Sequence, residues 1–184
     1  MSGWKNTQQG YGRITIMVHW LSALTVFSLF GVGLYMMSLS YYDPLYRTLP
    51  WWHKSFGLTL LAVTVFRIIW KAASPTPAAL PEHGKWTVRL AKLGHSTLYL
   101  LLIAIMLTGY LISTADGRGI PFFGWFEVPA FFDGFEGQED LAGELHFYLA
   151  WGLVIAAAGH GLAAIKHHLI DKDKTLTRMI KTGE

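Results

Sequence analysis

Four long apolar runs alternate with polar segments along this chain. They cover about 14–39, 53–71, 95–115 and 144–168. A helix needs ~20 apolar residues to cross the ~30 Å hydrocarbon core of a bilayer, and each run approaches or exceeds that length. Inside lipid, only a helix or a closed barrel satisfies its own backbone polar groups. The pattern therefore predicts an all-α membrane protein, a four-transmembrane-helix bundle forming one domain over 1–184. The first run is longer than the apolar region of a secretory signal, and no A-x-A cleavage pattern follows it, so it is read as a true span.

The connections carry their own signals. Pro44 and Pro50 bound the first one. The second holds Ser74-Pro75-Thr76-Pro77 and Pro81, which stop a helix and favour extended backbone. The third, from Asp116 to Gly143, is the longest, and clusters Phe122, Phe123, Trp125 and Phe126. Aromatic residues of this kind belong at a membrane interface, and the segment is expected either to hold a short interfacial helix or simply to cap the outer end of the bundle.

Charge orients the spans. Of the 15 lysines and arginines, all but Arg47, Lys54 and Arg118 fall on the side that holds the N-terminus, the loop 71–94 and the C-terminal tail. By the positive-inside rule that side is cytoplasmic, so both termini are placed there. The opposite loops carry Asp43, Asp116, Glu127, Asp133, Glu136, Glu139, Asp140 and Glu144. The net charge of +3 thus reflects topology, and no nucleic-acid partner is expected. The chain has no cysteine, which excludes disulfides, iron–sulfur clusters, thiolate zinc sites and covalently attached haem.

Against this frame the histidines gain a depth. His146 and His160 share the fourth run, ~21 Å apart along a helix and within ~40° of one face. Orientation puts His53 and His146 toward the outer leaflet, and His19, His95 and His160 toward the inner one. Arg67 lies fourteen residues after His53, Gly33 fourteen after His19, and Gly109 fourteen after His95. Glycine lets a helix approach a neighbour or a flat ligand closely. Ionisable groups within a span are costly and usually functional. No Asp or Glu lies inside a run except Glu144 at the margin of the fourth, so a mixed-ligand zinc or nickel site is disfavoured. Histidines at two depths fit bis-imidazole ligation of two b-type haems.

Other side chains receive candidate roles. Arg67 is placed to pair with a haem propionate. His95 remains open as an alternative inner ligand, a propionate or quinone contact, or a helix-start residue. His167 lies ~10 Å further inward than His160 on nearly the same face. It is a candidate for protonating a quinone, or else an interfacial residue beside Lys166 and His168. His83, in the Pro-rich loop, is given no chemistry. A non-redox metal carrier or scaffold using the same histidines is the alternative of another class.

These residues also carry a family likeness. R-I-T-I-M-V-H-W at 13–20, W-H-K-S-F-G-L-T at 52–59, F-R-I-I-W-K…P-T-P at 66–77 and L-G-H-S-T-L-Y at 93–99 resemble the bacterial cytochrome b561 family. So do E-L-H-F at 144–147 and G-H-G-L-A-A-I-K-H-H…D-K-D-K-T-L-T-R-M at 159–179, so the likeness covers nearly the whole length. It implies a multi-pass cytochrome of the bacterial inner membrane with two b haems. It further implies that His53 and His146 hold the outer haem, and His19, rather than His95, holds the inner one with His160. Some members are superoxide oxidases, which take an electron from superoxide outside and reduce ubiquinone. Similar four-helix cytochromes pass electrons to quinone as subunits of formate dehydrogenases and hydrogenases. An oxidoreductase moving electrons from a periplasmic donor to quinone is the resulting expectation. The acidic outer loops oppose steering of an anion such as superoxide, but Lys54, with Arg118, offers a local positive entrance.

Overall fold

The computed structural model describes residues 3–182. Its long helices are α1 (Arg13–Met36), α2 (Thr48–Ala73), α3 (Lys85–Thr114) and α4 (Gln138–Leu169). All four are long and apolar enough to cross a membrane. Strands β1 (Ile120–Phe122) and β2 (Phe126–Val128) lie between α3 and α4, and a 3-10 turn covers Thr177–Met179.

The helix ends follow local chemistry. Pro50 sits in the first turn of α2, where a missing N–H costs nothing, and α2 stops just before Ser74-Pro75. Glu139 and Asp140 occupy the first turn of α4, and Lys166, His167 and His168 its last turn, each complementing the helix dipole. Two helices begin earlier than their apolar runs: α3 at Lys85 rather than near 95, and α4 at Gln138 rather than near 144. Apolar composition marks only the part suited to lipid, while the backbone ladder continues through polar turns such as Trp86 to Lys92. His95 consequently lies in the interior of α3, which removes its reading as a helix-start residue. The expected short helix within 116–143 is instead an antiparallel hairpin, with Ile120 opposite Val128 and Phe122 opposite Phe126.

Burial is distributed as lipid requires. Leu24, Leu100, Leu107, Ile155 and Leu162 are exposed, whereas Ser22, Ser55, Thr64, Thr108, Thr114 and Gln138 are buried. Several helical hydroxyls donate back to the preceding turn: Ser22 to the Val18 carbonyl, Thr59 to Ser55, Ser113 to Gly109 and Thr114 to Tyr110. Such bonds satisfy polar side chains without water.

The chain forms two compact units, each built from part of every long helix. One comprises Leu24–Ala62 and Leu101–Val154. Here the hairpin is anchored on α2. The buried Ser55 hydroxyl accepts the Phe123 N–H at 3.1 Å and donates to the Pro121 carbonyl at 3.4 Å. Phe123 adopts a left-handed φ of 48°, and its ring packs edge-on against Trp51, Trp52 and Phe56.

The other unit lies within Met1–Ala23, Val63–Leu100 and Ile155–Glu184. Asn6 Oδ1 accepts from the Gly12 N–H at 2.9 Å and the Thr15 hydroxyl at 2.7 Å, and Thr15 in turn accepts from Trp70 Nε1 at 3.1 Å. Gly12 is obligatory, because a Cβ there would collide with the Trp4 and Lys5 backbone. The Pro-rich loop is strapped from both ends of the sequence. The Ala78 N–H donates to the Gln8 carbonyl at 2.9 Å, and Arg178 Nη1 donates to the Ala78 carbonyl at 2.8 Å. Trp20 Nε1 donates to the Met179 carbonyl at 2.6 Å.

Candidate functional site

Each unit brings together histidines that are far apart in sequence. In the first, His53 of α2 and His146 of α4 face each other with ring centroids 6.2 Å apart. They line a cavity of about 400 Å³ to which all four helices contribute, with walls that are mostly Leu, Ile, Val, Met and Phe. That volume lies within the ~300–1,000 Å³ of typical small-molecule sites. Gly33 and Gly109 back the two rings. A Cβ on Gly33 would stand 3.5 Å from His53 Cε1, and one on Gly109 only 3.1 Å from His146 Cε1. Glycine at these positions leaves room for the imidazoles themselves.

The hydrogen bonds of His146 define its tautomer. Nδ1 lies 2.9 Å from the Ile105 carbonyl, which can only accept, so Nδ1 carries the proton and Nε2 keeps its lone pair. The Thr108 hydroxyl stands 3.1 Å from the same Nδ1. An imidazole oriented by a carbonyl through one nitrogen and open at the other is the usual state of a metal ligand. His53 Nδ1 is buried with no hydrogen-bond partner, an unsatisfied polar atom at a mostly apolar cavity.

Lys54, next to His53, lines this cavity and also an adjoining groove with Arg47, Arg118, Tyr46 and Trp51. Arg118 is paired with Asp116, whose oxygen accepts from Arg118 Nε at 2.6 Å. That bond, ahead of the backbone N–H of Arg118, holds the Asp116 carboxyl below the usual carboxylate range. Of the three cations, Arg118 is thus already partly neutralised.

In the other unit, His160 of α4 has two histidine neighbours. His19 of α1 stands 6.3 Å away between ring centroids, and His95 of α3 stands 5.2 Å away. A ligating imidazole nitrogen sits about 2 Å from its metal, so two rings on opposite sides of one ion have centres roughly 6 Å apart. The spacings of His53–His146 and His19–His160 match that span, and His95–His160 falls short of it. The unsatisfied His53 nitrogen, the oriented His146 and these two spacings fit bis-imidazole haem.

Arg67 Nη2 lies 3.5 Å from His19 Nδ1, and its guanidinium 5.4 Å from the Tyr99 ring centre. Lys71 Nζ approaches the same ring at 5.2 Å. Among the described residues neither cation has an ion-pair partner. Two uncompensated cations beside paired histidines suit an anionic group of a cofactor. Tyr99 and Lys71 were not assigned from sequence: Tyr99 lies four residues after His95 and Lys71 directly after Trp70, with no periodic signal that sets them apart.

His167, expected near the inner surface, turns to the tail. Its Nδ1 lies 2.8 Å from Asp173 Oδ2, and His83 Nε2 lies 2.9 Å from the same oxygen. Burial pushes the Asp173 carboxyl up, but hydrogen bonds from Thr175, His83 and His167 outweigh it and hold the group well below the usual carboxylate range. Neither His83 nor Asp173 carried a sequence signal, because their proximity depends on how the loop and tail fold back.

The chain is similar to known proteins over nearly its whole length. The family model described as prokaryotic cytochrome b561 matches residues 10–182. Cytochrome b561 homolog 2 of Escherichia coli (strain K12) is 50% identical over 175 residues, covering 95% of this chain and 93% of that protein. Probable superoxide oxidase CybB of Yersinia pestis is 32% identical over 174 residues, covering 92% and 95%. Cytochrome b561 homolog 1 of E. coli is 27% identical over 174 residues, covering 92% and 96%.

Proposed function

Because this chain belongs to the prokaryotic cytochrome b561 family, whose members are membrane electron-transfer proteins with b-type haem, we propose that it is a di-haem cytochrome of the bacterial inner membrane. It moves electrons from a periplasmic donor to ubiquinone. His53 and His146 hold the outer haem and His19 and His160 the inner one, and both termini are cytoplasmic. The observation that carries this reading is the pair of ring spacings, 6.2 and 6.3 Å, each the width of an ion held between two imidazoles.

Bound haem iron supplies one-electron chemistry at each site. The protein's residues do the rest. Ile105 fixes the His146 tautomer, apolar walls exclude water from the outer cavity, and Arg67 and Lys71 balance negative charge at the inner one. Lys54 presents a cation at the outer cavity, where an anionic donor such as superoxide gives up one electron and leaves as O₂. Two such electrons and two protons convert ubiquinone to ubiquinol, and His167 is the proton donor we assign to that step.

A second reading has its own support. Asp116 masks Arg118, and Glu127 and Glu136 add negative charge to the same outer segment. That surface suits docking of a basic redox partner better than attraction of an anion, as for a cytochrome subunit serving a dehydrogenase or hydrogenase. One set of measurements separates these readings. Purified protein should contain two haems per chain, with a reduced absorption band typical of b haem. His53→Ala or His146→Ala should lose one haem, His19→Ala or His160→Ala the other, and His95→Ala neither. Superoxide added to the intact protein should then drive quinone reduction. Two haems without that activity, together with a co-purifying dehydrogenase, would favour the subunit, and a protein without haem would sink both.

A further inference from the structure

The cluster of His83, His167 and Asp173 has no part in holding haem, yet three separate segments converge to build it. His83 precedes α3, His167 lies in the last turn of α4, and Asp173 lies in the tail. Their ligand atoms all fall within 4.8 Å of one another. The two imidazole nitrogens lie 2.9 and 2.8 Å from one carboxylate oxygen, the His167 nitrogen lies also 2.8 Å from Asp171 Oδ2, and the rings are 4.9 Å apart. The side chain of Asp173 is only 4% exposed, and those of His83 and His167 16% and 19%. The other carboxylate oxygen accepts the Thr175 N–H at 2.7 Å, which aims the group. Lys172, between Asp171 and Asp173, takes a left-handed φ of 55° as the tail turns back.

A buried carboxylate needs a positive partner. Among the described residues no lysine or arginine reaches Asp173, and Lys166 is bonded to Asp171 instead. The carboxylate thus meets two imidazoles, the same pair of nitrogen donors that a divalent ion takes.

We propose that His83, His167 and Asp173 form a binding site for a divalent transition ion of the zinc type. Two nitrogens and one oxygen are a borderline donor set, suited to zinc and unsuited to calcium or magnesium, which take oxygen ligands. Tetrahedral zinc places its ligand atoms about 3.3 Å apart, so the nitrogens need retreat from the carboxylate by only a few tenths of an ångström. Binding requires each imidazole to turn a proton-free nitrogen to the ion, its remaining proton sitting on the other ring nitrogen. Water completes the coordination, beside the Thr175 hydroxyl, which stands 3.4 Å from His83 Nε2. The ion would tie loop, helix end and tail to one point.

This site shares His167 with the quinone-protonation role proposed above, and the experiment distinguishes the two. The full-length protein is purified, stripped with chelator and titrated with Zn²⁺ by calorimetry, with circular dichroism as the check on folding. One equivalent should bind. His83→Gln and Asp173→Asn should each weaken binding about 100-fold or more, because losing even a group that only orients a metal ligand costs ~10–100-fold. Both should retain the helical signal, and zinc should raise the melting temperature of the parent but not of the variants. Binding that survives in both variants, or no stoichiometric binding at all, overturns the site. An unmetallated protein whose quinone reduction slows in Asp173→Asn, with a displaced pH profile, assigns the cluster to proton delivery instead.

Discussion

At the scale of single residues, the chemistry of the paired histidines depends on what stands behind each ring. His146 is oriented by the Ile105 carbonyl, while His53 has no such partner at Nδ1. His19 has a guanidinium 3.5 Å away instead of a carbonyl. A cation there disfavours the more positive, oxidised state of a redox centre nearby. Arg67→Ala should therefore lower the midpoint potential of the centre held by His19 and His160. A unit charge about 10 Å away at an effective dielectric of about 20 is worth roughly 1–2 kcal/mol, on the order of 50 mV for one electron. Arg67→Lys should restore much of it. Spectroelectrochemical titration reads both, and two unchanged potentials in Arg67→Ala would remove this role.

At the scale of elements, the hairpin is the least self-sufficient part of the fold. Its strands have three residues each, and a two-stranded ribbon of that size has little stability of its own. Ser55 and the aromatic cluster hold it on α2. Ser55→Ala leaves the Phe123 N–H without its acceptor at a half-buried position, a loss of about 1 kcal/mol. The variant should melt earlier and be cut by protease within 120–128, and a cleavage rate equal to that of the parent would show that Ser55 is not the anchor. These elements also show what was legible in the sequence. The helices were, because apolar runs of bilayer length leave one solution for the backbone, and so was the grouping of His53 with His146 and of His19 and His95 with His160. The hairpin was not, since Phe122, Phe123, Trp125 and Phe126 read equally well as an interfacial helix. The first turns of α3 were hidden for a related reason: Trp86, Arg89 and Lys92 carry no apolar stripe. The meeting of His83 with Asp173, 90 positions apart, is purely tertiary.

At the scale of the whole molecule, burial and charge carry separate information. Hydroxyls are buried while large aliphatic side chains are exposed, the reverse of a water-soluble protein. The distribution of lysines and arginines underlies the proposed orientation, with both termini in the cytoplasm. That orientation can be measured cleanly because the chain has no cysteine of its own. A cysteine replacing the exposed Tyr42 should react with a membrane-impermeant thiol reagent in intact cells. One replacing the exposed Lys181 should react only after the cells are opened. The opposite result would invert the orientation, and with it the assignment of outer and inner histidine pairs.

The bond from Trp20 to the Met179 carbonyl also has a temporal meaning. The two residues are 159 positions apart. At ~5–20 residues per second, α1 waits roughly 10–30 s for this partner after Trp20 is made. Until residue 179 has emerged, the indole N–H must find another acceptor, and the Pro-rich loop lacks its tie to Arg178. Closure of this clasp therefore comes late in synthesis, and the order it brings to α1 is delayed with it.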